Sequence, residues 1–113
     1  MIWKSNKRGS YKKWNGRCLQ LQLRLLQANE EKGGELFRSL SKVAKSSREE
    51  NGCIQYVLHR SLEDEDVYVL YETWTDEEAL HNHIQSAHYQ TYRSEIEPIV
   101  KDRSVYKLEK LGS

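Results

Sequence analysis

The chain has 113 residues, of which 31% are charged, and its formal net charge at pH 7 is +1. This length allows one modest hydrophobic core, so we expect a single folded domain. No apolar run approaches the roughly 18 residues of a membrane span, and we predict no membrane partner. The net charge conceals an asymmetry, because residues 1–29 hold seven Lys or Arg and no acid, whereas residues 30–113 hold eleven basic and seventeen acidic residues.

The first seventeen residues are basic and contain three large aromatic side chains, Trp3, Tyr11 and Trp14. Such a segment is compatible with a nucleic-acid arm or a targeting sequence, but it lacks the apolar core of a secretory signal. We predict a poorly ordered basic extension at residues 1–17, one domain at residues 18–113, and no nucleic-acid partner.

Cysteine usage indicates the redox environment. Cys18 and Cys53 form neither a CxxC pair nor part of a multi-cysteine framework. Stable disulfides are typical of secreted domains, whereas isolated cysteines are usual in reducing compartments. We therefore predict a cytoplasmic protein in which each thiol acts as a small structural hydrophobe.

The first half of the chain reads as strand, helix, strand and strand. Residues 19–25 alternate leucine with polar side chains, which is the period of a half-buried strand. A turn at Gly33 and Gly34 leads into a helix whose apolar side chains recur at helical spacing, namely Leu36, Phe37, Leu40, Val43 and Ala44. Asn51-Gly52 ends this helix, a second strand follows at residues 53–59, and an acidic loop separates it from a third strand at residues 67–74.

The second half reads as helix and strand. Thr75 is the predicted N-cap of the second helix and Glu78 is its capping-box partner. This helix carries Leu80, Ile84 and Ala87 on its buried stripe. A further helical piece places apolar side chains at helical intervals until Pro98 disturbs it, namely Tyr89, Tyr92, Ile96 and Ile99. A final strand is predicted at residues 104–111.

This order of elements is the split βαβ pattern of the ferredoxin-like α+β fold, βαββαβ, an antiparallel sheet with helices on one face. The other face of the sheet is predicted to carry a row of leucines and tyrosines together with Trp74, and such a row is too apolar to face water. We therefore predict a homodimer of the dimeric alpha-beta barrel type, in which two sheets pack together.

Residues 18–111 resemble the antibiotic biosynthesis monooxygenase superfamily of small dimeric ferredoxin-like domains. Four segments carry the resemblance through their order and spacing: KGGELFRSL, SREENGCIQY, YETW and EALHNHIQSAHYQTY. The resemblance implies an enzyme, a monooxygenase that oxidises a quinol, a phenol or a similar small aromatic compound with dioxygen and without a cofactor. The alternative is a non-oxygenase of the same fold, either a small-molecule isomerase or a ligand-binding dimeric module.

The resemblance also implies the candidate site residues. Four side chains match its E-x-W and A-L-x-x-H-x-x-x-x-H patterns and are the catalytic candidates, namely Glu72, Trp74, His83 and His88. Polar side chains of the first strand are candidates for substrate binding in a cavity beside the second helical region, namely Gln20, Gln22 and Arg24. The heme-degrading branch has an asparagine on this strand, and its absence from residues 19–27 disfavours heme degradation.

Oxygenation without a cofactor requires a base and a dry cavity. His83 is the first candidate for the base, because it lies at the edge of the inward helix stripe, and His88 is the second. Trp74 would form an aromatic wall against the substrate, and Glu72 would orient a histidine or bond a substrate hydroxyl. His81 is predicted to face solvent.

Each candidate also has a purely structural interpretation. Trp74 would then be plain core, Glu72 would pair with a lysine or arginine, and His83 would bond a backbone carbonyl. A closed pocket that juxtaposes Trp74 with His83 would favour catalysis, whereas a filled interior with His83 bonded to the backbone would favour the structural role.

We predict neither a metal nor a nucleotide. His81 and His83 lie about 200° apart on a helix, and His81 and His88 lie about two turns apart, so neither pair can readily share an ion. No Rossmann glycine fingerprint or P-loop is present in the sequence.

Overall fold

The computed structural model describes residues 19–111. The strands are β1 (Gln20–Ala28), β2 (Cys53–Arg60), β3 (Val67–Trp74) and β4 (Val100–Leu108), and the helices are α1 (Gly33–Arg48), α2 (Glu77–Gln85) and α3 (Ala87–Ile96). The strands form one antiparallel sheet in the order β2-β3-β1-β4. The predicted ferredoxin-like α+β fold is therefore confirmed. The predicted extension at residues 1–17, and Cys18, lie outside the described residues.

The first part of strand β1 buries polar side chains and leaves leucines half-exposed. Gln20, Gln22 and Arg24 lie on the face that the helices cover, called here the inner face, and alternate with Leu21, Leu23 and Leu25 on the outer face. Gln20, Gln22 and Arg24 on the inner face are each at most 4% exposed. A polar row normally faces water, so this arrangement indicates that the interior itself is built around polar groups.

The prediction that Trp74 belongs to the outer row is wrong. Trp74 pairs with Gln20 across the β1–β3 ladder, which places the indole on the inner face, where it is 0% exposed. The reason is the strand period, because Glu72 and Trp74 share one face and Glu72 is drawn inward by a buried arginine. The outer face carries leucines, valines and tyrosines together with polar side chains such as Thr73 and Ser104. Leu23 lies on it between Tyr71 and Tyr106 in the sheet register.

The predicted helix stripe of α1 is confirmed except at Phe37. Leu36, Leu40 and Val43 are buried, but Phe37 is 49% exposed because it lies about 100° around the helix from Leu36. Its ring lies over that of Tyr68, with the centroids 6.2 Å apart. Phe37 therefore covers the edge of the core.

Two expectations about the second helical region are wrong. Asp76, not Thr75, caps α2, since its side chain accepts a hydrogen bond from the backbone N–H of Ala79 at 2.8 Å. Ala87 is exposed, because the chain bends at Ser86, which ends α2 and caps a separate helix, α3. The bend changes the direction of the buried stripe, which in α3 contains Tyr89 and Tyr92.

Strand bounds also differ from the predictions. β1 continues to Ala28, and β4 begins at Val100 and ends at Leu108, whereas residues 104–111 were predicted. Within residues 19–111, none of the helices has the length and the run of apolar side chains that crossing a membrane requires. The cytoplasmic location stays a prediction.

Replacement of Gly52 by alanine is expected to destabilise the fold by about 1–3 kcal/mol. Gly52 has φ +90°, and a Cβ atom there would lie 2.6 Å from the Cβ of Ala79. Urea unfolding measures the loss, and Gly34→Ala is the matched control. A Cβ atom on Gly34, which lies in α1, would meet nothing within 4 Å, so alanine there is expected to be neutral or stabilising. Equal effects of the two substitutions would contradict the prediction.

Candidate active site

A buried ion pair lies at the centre of the inner face. Nε of Arg24 on β1 lies 2.6 Å from Oε2 of Glu72 on β3, and the two side chains are 5% and 0% exposed. Nη1 of Arg24 donates to the hydroxyl of Tyr89, and Nη2 donates to Oε1 of Gln22. Burial by itself lowers the pKa of Arg24, but the negative charge of Glu72, together with nearby tyrosines, holds that pKa above its ordinary value. The guanidinium therefore stays charged inside the protein.

Glu72 also holds the indole of Trp74. Nε1 of Trp74 donates to Oε1 of Glu72 at 3.0 Å, so the carboxylate uses one oxygen for Trp74 and the other for Arg24. Glu72 and Trp74 share one face of β3, and both are fully buried. The pairing with an arginine matches the structural interpretation of Glu72. A catalytic role for Glu72 stays a prediction.

The predicted substrate-binding side chains of β1 all face the helices. Gln20 and Gln22 are buried beside Arg24. Nε2 of Gln22 is buried and has no hydrogen-bond partner among residues 19–111, so this amide has hydrogen-bonding capacity left for a ligand. That these side chains bind substrate stays a prediction.

Helix α2 carries His83 into the interior. The side chain of His83 is 0% exposed. The centroid of its ring lies 4.5 Å from that of Trp74, 4.8 Å from that of Tyr89 and 5.6 Å from that of Tyr56. The rings of Trp74 and His83 contact each other, so the interior is filled at this point, and the closed pocket that would favour catalysis is not seen between them.

Glu50, which is not among the candidates predicted from the sequence, joins His83 to His88. Its Oε2 atom lies 2.7 Å from Nδ1 of His83 and 2.6 Å from Nε2 of His88. His83 therefore contacts a carboxylate, whereas the structural interpretation gave it a backbone carbonyl. The available signal was the position of Glu50 directly before Asn51-Gly52, the turn that returns the chain to the sheet.

That turn fixes Glu50 beside α2. The backbone N–H of Glu50 donates to Ser47 at 3.0 Å, and its carbonyl accepts from Cys53 at 3.1 Å. The carbonyl of Gly52 accepts a hydrogen bond from the N–H of Thr75 at 2.9 Å, which ties the turn to the chain just before α2. Glu50 thus reaches the two histidines from an anchored backbone.

The surroundings of His83 favour its neutral form. Burial lowers the pKa of His83 below its ordinary value, because the interior solvates an imidazolium poorly. The hydrogen bond to Glu50 and the negative charges of Glu72 and Glu50 act in the opposite direction, and Arg24 adds to the lowering. His83 is therefore a neutral, buried imidazole near neutral pH.

Cys53 lies next to this cluster but has an unreactive thiol. Burial, followed by the negative charge of Glu50, raises the pKa of Cys53 to about 11. A thiol with that pKa is protonated at neutral pH, and the thiolate is the nucleophilic form. The geometry agrees with the structural role predicted for Cys53.

The sequence model of the family described as antibiotic biosynthesis monooxygenase matches residues 21–95. This match covers more than half of the chain and includes every candidate site residue except Gln20. The chain belongs to the antibiotic biosynthesis monooxygenase family.

One curated protein is similar in sequence, and two solved structures share the fold. YcnE of Bacillus subtilis (strain 168), named as a putative monooxygenase, is 34% identical over 62 residues, which are 55% of this chain and 65% of YcnE. The matched segment thus spans slightly less than two thirds of that relative. The structure of PA3566 from Pseudomonas aeruginosa is 26% identical with a TM-score of 0.80, covering 83% of this chain and 95% of PA3566. The structure of Rv0793 from Mycobacterium tuberculosis has a TM-score of 0.79 at 24% identity, covering 84% and 97% of the two chains.

In this member of the antibiotic biosynthesis monooxygenase family, donor atoms of Glu50, His83 and His88 lie within 4.8 Å of one another, close enough to consider a metal ion. The observed spacing is that of hydrogen bonds, since one oxygen lies 2.6 and 2.7 Å from the two nitrogens. Ligand atoms around a tetrahedral zinc lie roughly 3.3 Å apart, so an ion would require Glu50 to move away from both rings. The expectation of no metal stays a prediction, and His81 is exposed as predicted.

The family member also has an open groove of about 660 Å³ beside α2 and β4. Its walls combine apolar and charged side chains, namely Glu77, Glu78, Leu80, His81, Ile84 and Lys107. His83 and Trp74 are not among these residues. Lys107 pairs with Gln22 in the sheet register, so one wall of the groove adjoins the polar side chains of β1.

Proposed function

We propose that this family member is a monooxygenase that oxidises a phenol, a quinol or a similar small aromatic compound with dioxygen and without a bound cofactor. His83 removes the hydroxyl proton through Nε2. The electron-rich anion then reacts with dioxygen at a ring carbon that carries hydrogen, giving a hydroperoxide after His83 returns the proton. Loss of water leaves a quinone, so one oxygen atom of dioxygen enters the product, the other becomes water, and the substrate supplies all four electrons.

One observation carries the proposal. Nε2 of His83 is buried and has no hydrogen-bond partner among the described residues, while Nδ1 contacts Glu50. A neutral imidazole in a dry, aromatic environment is suited to general-base catalysis, because water neither competes for its lone pair nor quenches the anion that it forms. Membership of a monooxygenase family supports the same reaction class.

Substrate access requires a local rearrangement. His83 is fully buried, and its ring contacts those of Trp74 and Tyr89. A substrate therefore reaches Nε2 only when one of the surrounding side chains moves, and Trp74 would then become the aromatic wall of the opened site. The free amide donor of Gln22 offers a hydrogen bond to a substrate oxygen.

Oxygen uptake tests the proposal. Purified protein is mixed with a panel of hydroquinones, naphthols and polyphenols in an oxygen electrode, with and without a chelator. Oxygen uptake is expected to be faster than autoxidation of the substrate without protein, and the chelator is expected to leave its rate unchanged. Failure of every substrate to consume oxygen would favour the isomerase or ligand-binding alternative, which binding measurements with the same compounds then distinguish.

We also propose that the functional unit is a homodimer formed through the outer face of the sheet. Tyr106 and Leu108 on this face are 53% and 40% exposed, and the row of leucines on β1 adjoins them. An apolar sheet face of this kind is best covered by an identical face related by twofold symmetry.

Leu23→Glu is expected to convert the dimer to a monomer, because it places a charge at the centre of the outer face. Light scattering after size-exclusion chromatography gives the molar mass. Leu62→Glu is the matched control, because Leu62 is fully exposed in the loop between β2 and β3. A wild-type protein that is monomeric at micromolar concentration would contradict this proposal.

A further inference from the structure

The roles of donor and acceptor in the cluster of Glu50, His83 and His88 follow from the chemistry of the three groups. An ionised carboxylate accepts hydrogen bonds and has none to donate. Nδ1 of His83 and Nε2 of His88 both lie within 2.7 Å of the same oxygen of Glu50. A nitrogen lone pair facing that anionic oxygen would be repelled, so each nitrogen carries a hydrogen and donates it.

This arrangement selects one tautomer of His83. A neutral imidazole has one N–H and one lone pair, so a hydrogen on Nδ1 leaves the lone pair on Nε2. Nε2 is the nitrogen that is buried without a partner among residues 19–111. A hydrogen on Nε2 would instead be a buried donor without an acceptor, and the lone pair of Nδ1 would then face the carboxylate of Glu50. Both effects disfavour that tautomer.

We propose that Glu50 is a positioning residue that holds the hydrogen of His83 on Nδ1 and thereby keeps the reactive lone pair on Nε2, with His88 as the second donor that holds the carboxylate in place. The proposal rests on the proposed function for the role of Nε2 as the base. The tautomer itself is a separate property and can be measured without turnover.

Glu50 also acts on the charged form of His83. When Nε2 takes a proton, the imidazolium forms directly against the carboxylate of Glu50, which stabilises it. The other titratable or charged groups around the ring come from every neighbouring element and are Arg24, Tyr56, Glu72, His88 and Tyr89. Arg24 and Glu72 are paired with each other and act on the pKa of His83 in opposite directions, whereas the carboxylate of Glu50 contacts the ring of His83 directly.

The side chain of Glu50 is placed to hold this role. It is 15% exposed, whereas His83 is 0% and His88 is 29% exposed, so the three side chains form a chain from the interior to the surface. Glu49, the preceding residue, is an exposed carboxylate on the same short segment. It offers a control with the same change of charge one residue away.

The experiment compares Glu50→Ala with Glu49→Ala by ¹⁵N NMR of the histidine rings at neutral pH. In the wild type and in Glu49→Ala, Nε2 of His83 is expected to give the resonance of an unprotonated nitrogen. In Glu50→Ala, that signal is expected to move toward the protonated form, because Nδ1 loses its acceptor and a histidine without such a constraint favours the hydrogen on Nε2. The kcat for oxygen uptake is expected to fall about a hundredfold in Glu50→Ala and to stay within about twofold in Glu49→Ala.

Glu50→Gln is the second variant, should the alanine variant fail to fold. Its amide oxygen still accepts hydrogen bonds, but the negative charge that raises the pKa of His83 is gone. The acid limb of the pH–rate profile is therefore expected to shift to lower pH. The kcat is expected to fall, and KM is expected to change less.

A wild-type His83 with its hydrogen on Nε2, or an unchanged tautomer in Glu50→Ala, would overturn the assignment of Glu50. If no protein consumes oxygen but the tautomer depends on Glu50 as stated, the assignment of Glu50 stands and the proposed function fails. The two claims are thereby separated.

Discussion

Replacing His83 by glutamine is expected to lower the kcat for oxygen uptake by at least about a hundredfold, which is the usual contribution of a general base. Glutamine is similar in size and polar, but it cannot take the substrate proton. The protein is expected to stay folded and to bind the substrate. In the wild type, activity is expected to be constant near neutral pH and to fall only below the ordinary pKa of histidine, because burial lowers the pKa of His83 and only its neutral form is a base.

The matched control for this substitution is His81→Gln, which changes an exposed histidine on the same helix. Oxygen uptake is followed for both variants with whichever substrate of the panel is consumed fastest. Wild-type kcat in His83→Gln would remove His83 from the reaction and leave the histidine as a structural link between α2 and Glu50.

Removal of the carboxylate of Glu72 is expected to have the largest effect on stability. In Glu72→Ala the buried guanidinium of Arg24 loses its partner, and Nε1 of Trp74 loses its acceptor. Breaking a buried ion pair from one side costs about 3–5 kcal/mol, since an uncompensated charge stays in the interior. Urea unfolding of wild type and variant gives the difference in the free energy of unfolding.

Two further variants serve as controls for the stability measurement. Glu35→Ala breaks the exposed pair between Glu35 and Lys32, and its effect is expected to be below about 1 kcal/mol. The double variant Arg24→Met with Glu72→Leu removes both charges, and it is expected to be more stable than Glu72→Ala alone. A Glu72→Ala protein as stable as the wild type would show that water or another group reaches Arg24.

The fold was predictable because its signals are local. Alternating leucines in β1, the apolar stripe of α1 and the turn at Asn51-Gly52 each depend on a few neighbouring residues. The order of the elements then specified the ferredoxin-like sheet. Helix starts were less certain, since Thr75 and Asp76 are both good caps and only the geometry of the chain selects Asp76.

The site was only partly predictable because its decisive contacts are far apart in sequence. The alternation of β3 placed Glu72 beside Trp74, and the resemblance to the family identified His83. Nothing local indicated that Arg24, 48 residues before Glu72, would supply the buried cation. Glu50 was missed for the same reason, because it lies 33 residues from His83 and appears in the sequence as one of many acidic surface residues.

The most direct test of the proposed function is the fate of labelled oxygen. A phenol of the panel that is oxidised to a quinone is incubated with the protein under ¹⁸O₂, and early product is analysed by mass spectrometry, with labelled water as the exchange control. The proposed reaction predicts one ¹⁸O atom in each quinone molecule, at a rate that depends on His83. A quinone formed without ¹⁸O would identify simple dehydrogenation and contradict the assignment as a monooxygenase.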